Sequence, residues 1–289
     1  MSADAFAPAK VNLYLHVGPL RPDGFHPISS LYVFADVGDR LAAEPAAHFS
    51  LTIDGPFADH APPGDDNLVI RALRALCGGA DPPLRMSLFK ALPAAAGLGG
   101  GSSDAAAALQ LARRVLGLDV DDQALPAIAA QLGSDVPACL EGRPVLAEGR
   151  GELLSPGPEM APMPAVLVRP AAGSATGPVY REFDRSLRDE QIGVEMPPAF
   201  DTGEALIGFL ASTRNDLEAP AVALEPQIGA VLAALRGAPE ALMARMSGSG
   251  SACFALCPDH AAAERLAARL GAQHRDWWVT ACRLGGPWR

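Results

Sequence analysis

The sequence has little of three things: lysine, aromatic residues and positive charge. Only two of its 289 residues are lysine, Lys10 and Lys90, and aromatic residues make up 6% of the chain. The formal net charge is −10, from 23 Lys and Arg against 33 Asp and Glu. Proteins that bind nucleic acid usually concentrate positive charge on one face, so we expect no nucleic-acid partner. A site for an anionic ligand would have to use backbone N–H groups, a few cations and metal.

Long hydrophobic runs are also missing. No apolar run approaches the roughly 20 residues that a membrane-spanning helix needs. Residues 1–8 lack a basic region followed by a hydrophobic stretch. We therefore expect a cytoplasmic protein with no membrane contact. The five cysteines are odd in number and scattered, which favours buried free thiols. Because no histidine or second cysteine pair follows Cys253 and Cys257 at ligand spacing, we expect no structural zinc.

Strand and helix patterns alternate irregularly along the chain, which is typical of an α+β protein. Two alternating segments, 10–17 and 28–35, flank the turn residues Pro22, Asp23 and Gly24 and predict an antiparallel hairpin. The remaining patterns predict strands at 49–53, 85–92, 165–169, 252–257 and 277–284, and helices at 68–76, 203–212, 217–236 and 260–270. The proline-rich stretch 156–164 suits neither a helix nor a central strand, so we place a boundary there between two domains, 1–155 and 165–289.

A glycine-rich segment, Gly97 to Ser103, changes at Ser102 into a strongly helix-forming stretch. Consecutive glycines let the backbone approach a ligand and turn its N–H groups inward, and a helix start adds unpaired donors and partial positive charge. A Walker A loop needs Gly-Lys-Ser/Thr at its end, and a dinucleotide fingerprint needs glycine where Ser102 stands, so neither fits. The segment indicates an anion site, with a flexible loop under an ordinary Ser or Asp cap as the alternative.

Two charged residues are candidates for the chemistry. One predicted helix runs from Ser102 to Leu116 and a second from Asp121 to Leu132, each followed by glycine. At 1.5 Å per residue the chain climbs about 20 Å and returns, which brings Asp135 back near the glycine segment. The alternative is that Asp135 caps the next element. Lys10 heads an alternating segment, and the alternative there is a solvated strand end.

Three separated segments resemble the motifs of the GHMP kinase superfamily: Pro8-Ala-Lys-Val-Asn-Leu, the glycine segment, and Met246-Ser-Gly-Ser-Gly-Ser-Ala252. Further segments are similar to the branch whose acceptor is a cytidine diphosphate-linked methylerythritol, in the non-mevalonate route to isoprenoids. They are Arg21-Pro-Asp-Gly-Phe-His26, Leu132-Gly-Ser-Asp-Val-Pro137 and Asn215-Asp-Leu-Glu218. The resemblance covers nearly the whole chain. It implies an N-terminal domain like domain 2 of ribosomal protein S5 and a ferredoxin-like C-terminal domain, with the active site between them.

The resemblance also implies roles for residues. ATP would donate its γ-phosphoryl group to the 2-hydroxyl of the acceptor, with Mg²⁺ accompanying the nucleotide. Asp135 would accept the hydroxyl proton, and Lys10 would hold that hydroxyl and offset the charge developing on it. Asn67 and Leu68 would lie near the adenine. The nucleotide would also contact the glycine segment and the residues before it, namely Pro93, Ala94, Ala95, Ala96, Gly97, Leu98, Gly99, Gly100, Gly101, Ser102 and Ser103.

At the cytidine end, the resemblance implies a ring and a histidine at Phe25 and His26, with help from Asn12, Tyr32 and Tyr180. Many relatives carry tyrosine where this chain has Phe25, a change that keeps the ring face for stacking. The spacing around Tyr180 departs from the usual motif. Turn packing is the alternative role for Phe25 and His26.

Two other functions keep the three motifs. A GHMP kinase acting on homoserine, mevalonate or a phosphorylated relative would not need Phe25 and His26. A catalytically silent sensor of nucleotide or ligand would not need both Lys10 and Asp135.

Overall fold

The computed structural model describes residues 2–121, 124–185 and 192–288. Twelve strands occur in these ranges: β1 (Ala3–Val17), β2 (Ile28–Pro45), β3 (Ser50–Asp54), β4 (Leu84–Phe89), β5 (Val145–Gly149), β6 (Leu153–Pro156), β7 (Glu159–Met160), β8 (Met163–Arg169), β9 (Ala199–Phe200), β10 (Met243–Met246), β11 (Cys253–Leu256) and β12 (Trp278–Leu284). The same ranges hold nine α-helices: α1 (Leu68–Leu76), α2 (Gly100–Leu116), α3 (Ala124–Leu132), α4 (Val136–Glu141), α5 (Thr176–Phe183), α6 (Gly203–Ala211), α7 (Glu218–Leu224), α8 (Pro226–Arg236) and α9 (His260–Gln273).

The predicted hairpin is present, but its strands are longer than predicted. β1 and β2 pair antiparallel from Val17 opposite Ile28 to Ala3 opposite Ala43. The predicted second strand ended at Ala35, whereas β2 continues through Gly38. A Cβ at Gly38 would lie 2.2 Å from the carbonyl oxygen of Ala7, so glycine is what allows the two strands to stay paired there.

Ten strands form one sheet in which β2 is the central member. β2 pairs with β1, and also with β5, β12 and β4 at successive positions along its length. The order continues as β10-β11-β8-β12-β2-β4-β3, where β3 and β4 are parallel. β7 and β9 form a separate two-stranded sheet. The sheet therefore runs through both predicted domains, joined where Leu284 pairs with Ala35.

Helices α1 to α4 pack on the first half of the sheet. The buried alanines of α2, from Ala105 to Ala108, allow it to approach the sheet closely, with Leu73, Met86 and Leu109 in the same core cluster. α2 ends at Gly117 in the left-handed conformation, as predicted, but it begins at Gly100, two residues before the predicted start. α3 matches the second predicted helix from Ala124 onward, and residues 122–123 of that prediction lie outside the described residues.

The second half follows the predicted order, with the unpredicted strands β9 and β10 added and with two differences among the helices. The predicted helix at 217–236 is divided into α7 and α8, because Pro226 has no N–H to donate and Glu225 caps α8 at Gln227 N. α5 was not predicted. A core cluster containing Leu13 and Leu31 with Leu167 joins the two halves of the molecule. The domain boundary at 156–164 therefore stays a prediction.

Four of the five cysteines are buried and Cys77 is partly exposed, and all five are free thiols, as predicted. Within the described residues, no helix is both long and apolar enough to cross a membrane.

Candidate active site

The glycine segment forms one wall of a cavity of about 310 Å³ at the N-terminus of α2. Gly97 and Gly99 have φ angles of 72° and 63°, a conformation that side-chain-bearing residues rarely adopt. The first residues of helix α2, from Gly100 to Ser102, line this cavity. The positive end of the helix dipole and the unpaired N–H groups of its first turn therefore lie at the cavity. The lining includes most of the predicted nucleotide residues: Asn67, Leu68, Pro93, Ala94, Ala95, Ala96, Gly97, Leu98, Gly99, Gly100, Gly101 and Ser102.

Two of the predicted nucleotide residues have their polar groups engaged elsewhere. Ser103 is 1% exposed and its hydroxyl donates to the carbonyl of Pro8 at 2.6 Å, so it points away from the cavity. Asn67 caps α1: its Oδ1 accepts from Val69 N at 2.9 Å and its Nδ2 donates to Pro62 O at 3.1 Å. In this structure the Ser103 hydroxyl and the Asn67 amide already have partners within the protein, and the nucleotide contacts of both residues stay predictions.

The third motif packs directly on the glycine segment. The Ser247 hydroxyl donates to Gly97 O at 3.0 Å, and it accepts from Asn12 N at 3.1 Å. A Cβ at Gly97 would lie 2.5 Å from Ser247 O and 2.9 Å from Gly250 O. The three motifs, far apart in sequence, thus meet at Gly97.

Lys10 and Asp135 meet beside the glycine segment. Lys10 Nζ donates to Asp135 Oδ2 at 3.0 Å, with 6% of the lysine and 29% of the aspartate side chain exposed. The helix pair α2 and α3 brings Asp135 back to this level, as the rise per residue predicted. Asp135 is the N-cap residue of α4, yet its side chain makes no capping hydrogen bond. Its carboxylate is instead directed at Lys10, whose Nζ also lies 4.1 Å from the ring centroid of Tyr32.

A second cavity, of about 300 Å³, surrounds this ion pair, and a third, of about 720 Å³, adjoins it. Phe25 and His26 line the third cavity, and Tyr180 lines both. Asn12 and Tyr32, predicted at the cytidine end, line the second cavity beside Lys10 instead. They are carried by β1 and β2, whose pairing places Asn12 opposite Tyr32.

Hydrogen bonding fixes the orientation of one histidine in these cavities, and burial fixes the charge of two tyrosines. His26 Nδ1 donates to Gly18 O at 2.9 Å, and His26 Nε2 lies 3.5 Å from Asp184 Oδ1. The His26 and Tyr180 ring centroids are 5.1 Å apart. Burial raises the pKa of Tyr180 to about 12, with a contribution from the charge of Asp135, and burial raises that of Tyr32 well above its usual value. Both phenols are therefore neutral near pH 7.

Asn12 carries an unsatisfied acceptor. Its Nδ2 donates to Ser30 Oγ at 2.9 Å, whereas its Oδ1 is buried with no hydrogen-bond partner. Because a buried acceptor without a partner costs about 1–3 kcal/mol, this atom indicates a ligand donor at that point of the cavity.

Sequence reasoning missed a buried charge cluster beside the glycine segment. Lys90 Nζ pairs with Asp104 Oδ2 at 2.6 Å and with Asp39 Oδ2 at shorter range, and all three residues are at most 6% exposed. Asp39 Oδ1 also accepts from the backbone N–H groups of Ala91 and Leu92 at 2.6 and 2.8 Å. The cluster ties the chain that enters the glycine segment to helix α2. Its only sequence signal was the rarity of lysine.

Comparison with known proteins identifies the family. The GHMP kinases N terminal domain model matches residues 67–143, and the GHMP kinases C terminal model matches 199–276. The 4-diphosphocytidyl-2-C-methyl-D-erythritol kinase of Caulobacter vibrioides is 55% identical, covering 98% of this chain and 100% of that protein. The kinase of the same name from Hyphomonas neptunium is 49% identical, covering 98% of this chain and 97% of that protein.

Solved structures agree with these relatives. A crystal structure of 4-(cytidine 5'-diphospho)-2C-methyl-D-erythritol kinase is 37% identical, with a TM-score of 0.78, and covers 98% of this chain and 100% of that one. Homoserine kinase from Cytophaga hutchinsonii shares the fold, with a TM-score of 0.68 at 20% identity over 99% of this chain and 94% of that one. The α+β, two-domain GHMP kinase fold expected from the motifs is confirmed. The chain belongs to the ATP-dependent GHMP kinases, among the 4-diphosphocytidyl-2-C-methyl-D-erythritol kinases.

Proposed function

We propose that this kinase transfers the γ-phosphoryl group of ATP to the 2-hydroxyl of 4-diphosphocytidyl-2-C-methyl-D-erythritol, giving the 2-phosphate and ADP, in the non-mevalonate route to isoprenoid precursors. The observation that carries the proposal is the Lys10–Asp135 pair, whose cavity is lined by Gly97 and Gly99 on one side and by Tyr180 on another. A phosphoryl donor and an alcohol acceptor can therefore meet at one ion pair. The relatives at 55% and 49% identity support this acceptor.

The proposed chemistry asks for positioning more than for a strong base. As the acceptor oxygen bonds to the γ-phosphorus, its proton passes to Asp135, and the bond from phosphorus to the bridging oxygen breaks to release ADP. Phosphoryl transfer has a loose transition state, so a weak base suffices. Lys10, held 3.0 Å from Asp135, offsets the negative charge on the acceptor oxygen. Asn12 Oδ1, the buried acceptor without a partner, can take a hydrogen bond from the methylerythritol.

The triphosphate is proposed to bind across the glycine segment, where the N-terminus of α2 supplies backbone donors. Leu68 lines the same cavity and offers apolar contact to the adenine. Because the chain is acidic, an anion site in it has to use backbone N–H groups rather than many cations. The N-terminus of α2 supplies such groups.

Mg²⁺ is proposed to accompany the nucleotide. No cluster of three or more His, Cys, Asp or Glu exists within the described ranges, so a cage made entirely of protein is absent there. Mg²⁺ bound with ATP needs only one or two carboxylates, because phosphates and waters fill the other positions. Asp135 is engaged by Lys10 and is the proposed proton acceptor, and the Ser103 hydroxyl donates to Pro8 O, so phosphate oxygens and waters would hold most of the ion's coordination positions. The ion would neutralise charge on the phosphate oxygens.

Cytosine is proposed to bind in the cavity of Phe25, His26 and Tyr180. The half-exposed ring of Phe25 offers a stacking face. His26 and Asp184 line the same cavity, with His26 Nε2 3.5 Å from Asp184 Oδ1, so the cavity offers a ring nitrogen and a carboxylate oxygen to the polar edge of the base. The net charge of −10 disfavours nucleic acid as a partner, which supports a small nucleotide-linked alcohol as the acceptor. Five free thiols support action in the reducing cytoplasm.

Product analysis tests the proposal. With ATP and the cytidine diphosphate alcohol, phosphorus NMR is expected to show one new phosphomonoester per ADP and an intact diphosphate. The Asp135→Asn variant should form neither product at a comparable rate. Release of CMP, or ADP formation with no new monoester, would reject the proposed transfer.

A further inference from the structure

The second cavity, around Lys10 and Asp135, is called the catalytic cavity below, and the third, lined by Phe25 and His26, is called the aromatic cavity. The two cavities share part of their walls. Five of the described residues line both of them: Ile28, Ser134, Arg150, Thr176 and Tyr180. A substrate with its base in one cavity and its alcohol in the other must place the group that connects them against this shared wall. In the proposed substrate, that group is a diphosphate.

Among the described residues of the shared wall, Arg150 is the one that carries a lysine or arginine charge. It lies at the tip of the hairpin of β5 and β6, between Gly149 and Gly151, whose φ angles are 70° and 99°. Those two glycines let the chain turn tightly enough to present the arginine toward the cavities. A Cβ at Gly151 would lie 3.2 Å from the Tyr32 hydroxyl and 3.8 Å from Ser134 Cβ, so the turn is packed on the catalytic cavity itself.

The Arg150 guanidinium carbon lies 4.7 Å from the ring centroid of Phe25. Stacking uses the face of the guanidinium plane and leaves the N–H groups on its edge able to donate to phosphate oxygens. Its carboxylate partner, Glu152, lies 3.5 Å away at Nε, and about half of the arginine side chain is exposed. This ion pair is therefore weak, and a diphosphate can compete for the guanidinium.

From this placement, and resting on the proposed function, we infer that Arg150 binds the diphosphate that joins the two parts of the acceptor substrate. Among the described residues, Lys10 and Arg181 are the other lysine or arginine side chains that line the two cavities. Lys10 is paired with Asp135 in the catalytic cavity, and Arg181 lines the aromatic cavity but not the catalytic one. In a chain of net charge −10, a cation between them offsets repulsion of the incoming dianion.

The test compares Arg150→Gln with a matched control, Arg143→Gln. Arg143 is also a half-exposed arginine paired with a glutamate two residues away, Glu141 at 3.0 Å, but it lines neither cavity. Calorimetry with wild-type protein and both variants measures the affinity for cytidine and for CDP in the absence of ATP. Steady-state assays measure KM for ATP and for the cytidine diphosphate alcohol.

Arg150→Gln is expected to weaken CDP binding about 10-fold and cytidine binding much less, since a hydrogen bond to a charged group at a half-exposed site is worth the lower end of its usual range. KM for the alcohol should rise by a similar factor while KM for ATP stays unchanged, and Arg150→Lys should recover part of the loss. Arg143→Gln should match wild type.

Equal loss of cytidine and CDP affinity in Arg150→Gln would overturn the inference, because Arg150 would then only support the ring of Phe25. Wild-type behaviour of Arg150→Gln would overturn it as well. If wild-type protein phosphorylates the alcohol in either case, the proposed function survives. If wild-type protein neither binds CDP nor turns over the alcohol, the proposed function itself fails, and the inference fails with it.

Discussion

Replacing Lys90 with methionine should destabilise the fold far more than removal of a surface lysine would. Lys90 is the one cation of a cluster with Asp39 and Asp104, and the three residues are 6%, 0% and 3% exposed. Methionine keeps most of the side-chain volume and removes the charge, leaving two buried carboxylates without their partner. Breaking a buried ion pair in this way costs about 3–5 kcal/mol.

The loss should depend on pH in a defined direction. Burial raises the pKa of Asp104 to about 8, although Lys90 opposes that rise. Without Lys90 the pKa rises further, so the folded state holds a proton that the unfolded chain releases near pH 4. Stability that comes from a raised pKa is complete below the unfolded value and is lost as pH rises through the folded value. Both folded proteins hold this proton up to about pH 8, so the destabilisation by Lys90→Met should be similar at pH 5 and pH 7 and should grow as pH rises above about 8, where wild-type Asp104 loses the proton and the variant keeps it.

Denaturant unfolding without nucleotide measures the effect, and Arg74→Met is a matched control. Arg74 also contacts two carboxylates, Asp65 and Asp81, but all three side chains are at least 36% exposed. Its removal should change the free energy of unfolding little. Adding Asp104→Asn to Lys90→Met should recover part of the loss, because one buried charge fewer remains. A loss at pH 8 no larger than that of Arg74→Met would refute the reasoning.

Two further predictions concern the site. Lys10→Ala and Asp135→Asn should each lower kcat about 10³-fold, as measured by ADP release. KM for ATP in the same assay and the melting temperature from calorimetry should change little. Full activity in either variant would contradict the mechanism. Gly97→Ala should cost more than about 1 kcal/mol of stability and weaken ATP binding, because φ is 72° and the new Cβ would lie 2.5 Å from Ser247 O. The helical Gly101→Ala, whose Cβ would meet only Leu68 at 3.6 Å, should keep wild-type stability or exceed it, and equal losses in both variants would contradict the geometric argument.

The sequence predicted those parts of the site that depend on local patterns. The helix pair that returns Asp135 to Lys10 was predictable because the rise per residue and the glycine stops set its length. The place of the glycine segment at the N-terminus of α2 was predictable because loop and helix start are adjacent in the chain. The hairpin that presents Lys10 was predictable from alternation and turn residues.

The other parts of the site depend on pairing between strands that are far apart in the sequence. Lys90 meets Asp39 only because β2 pairs with β4, and no local pattern in the sequence indicates that register. Arg150 reaches the site because β5 pairs with the start of β2.

Turnover of alternative alcohols tests the central claim most directly. Coupled ADP release would be measured with 4-diphosphocytidyl-2-C-methyl-D-erythritol, homoserine and mevalonate at equal concentrations. The account predicts a kcat/KM for the cytidine diphosphate alcohol at least about 10³-fold above the other two, because only this alcohol can fill the cavity of Phe25, His26 and Tyr180. Comparable turnover of homoserine or mevalonate would contradict it.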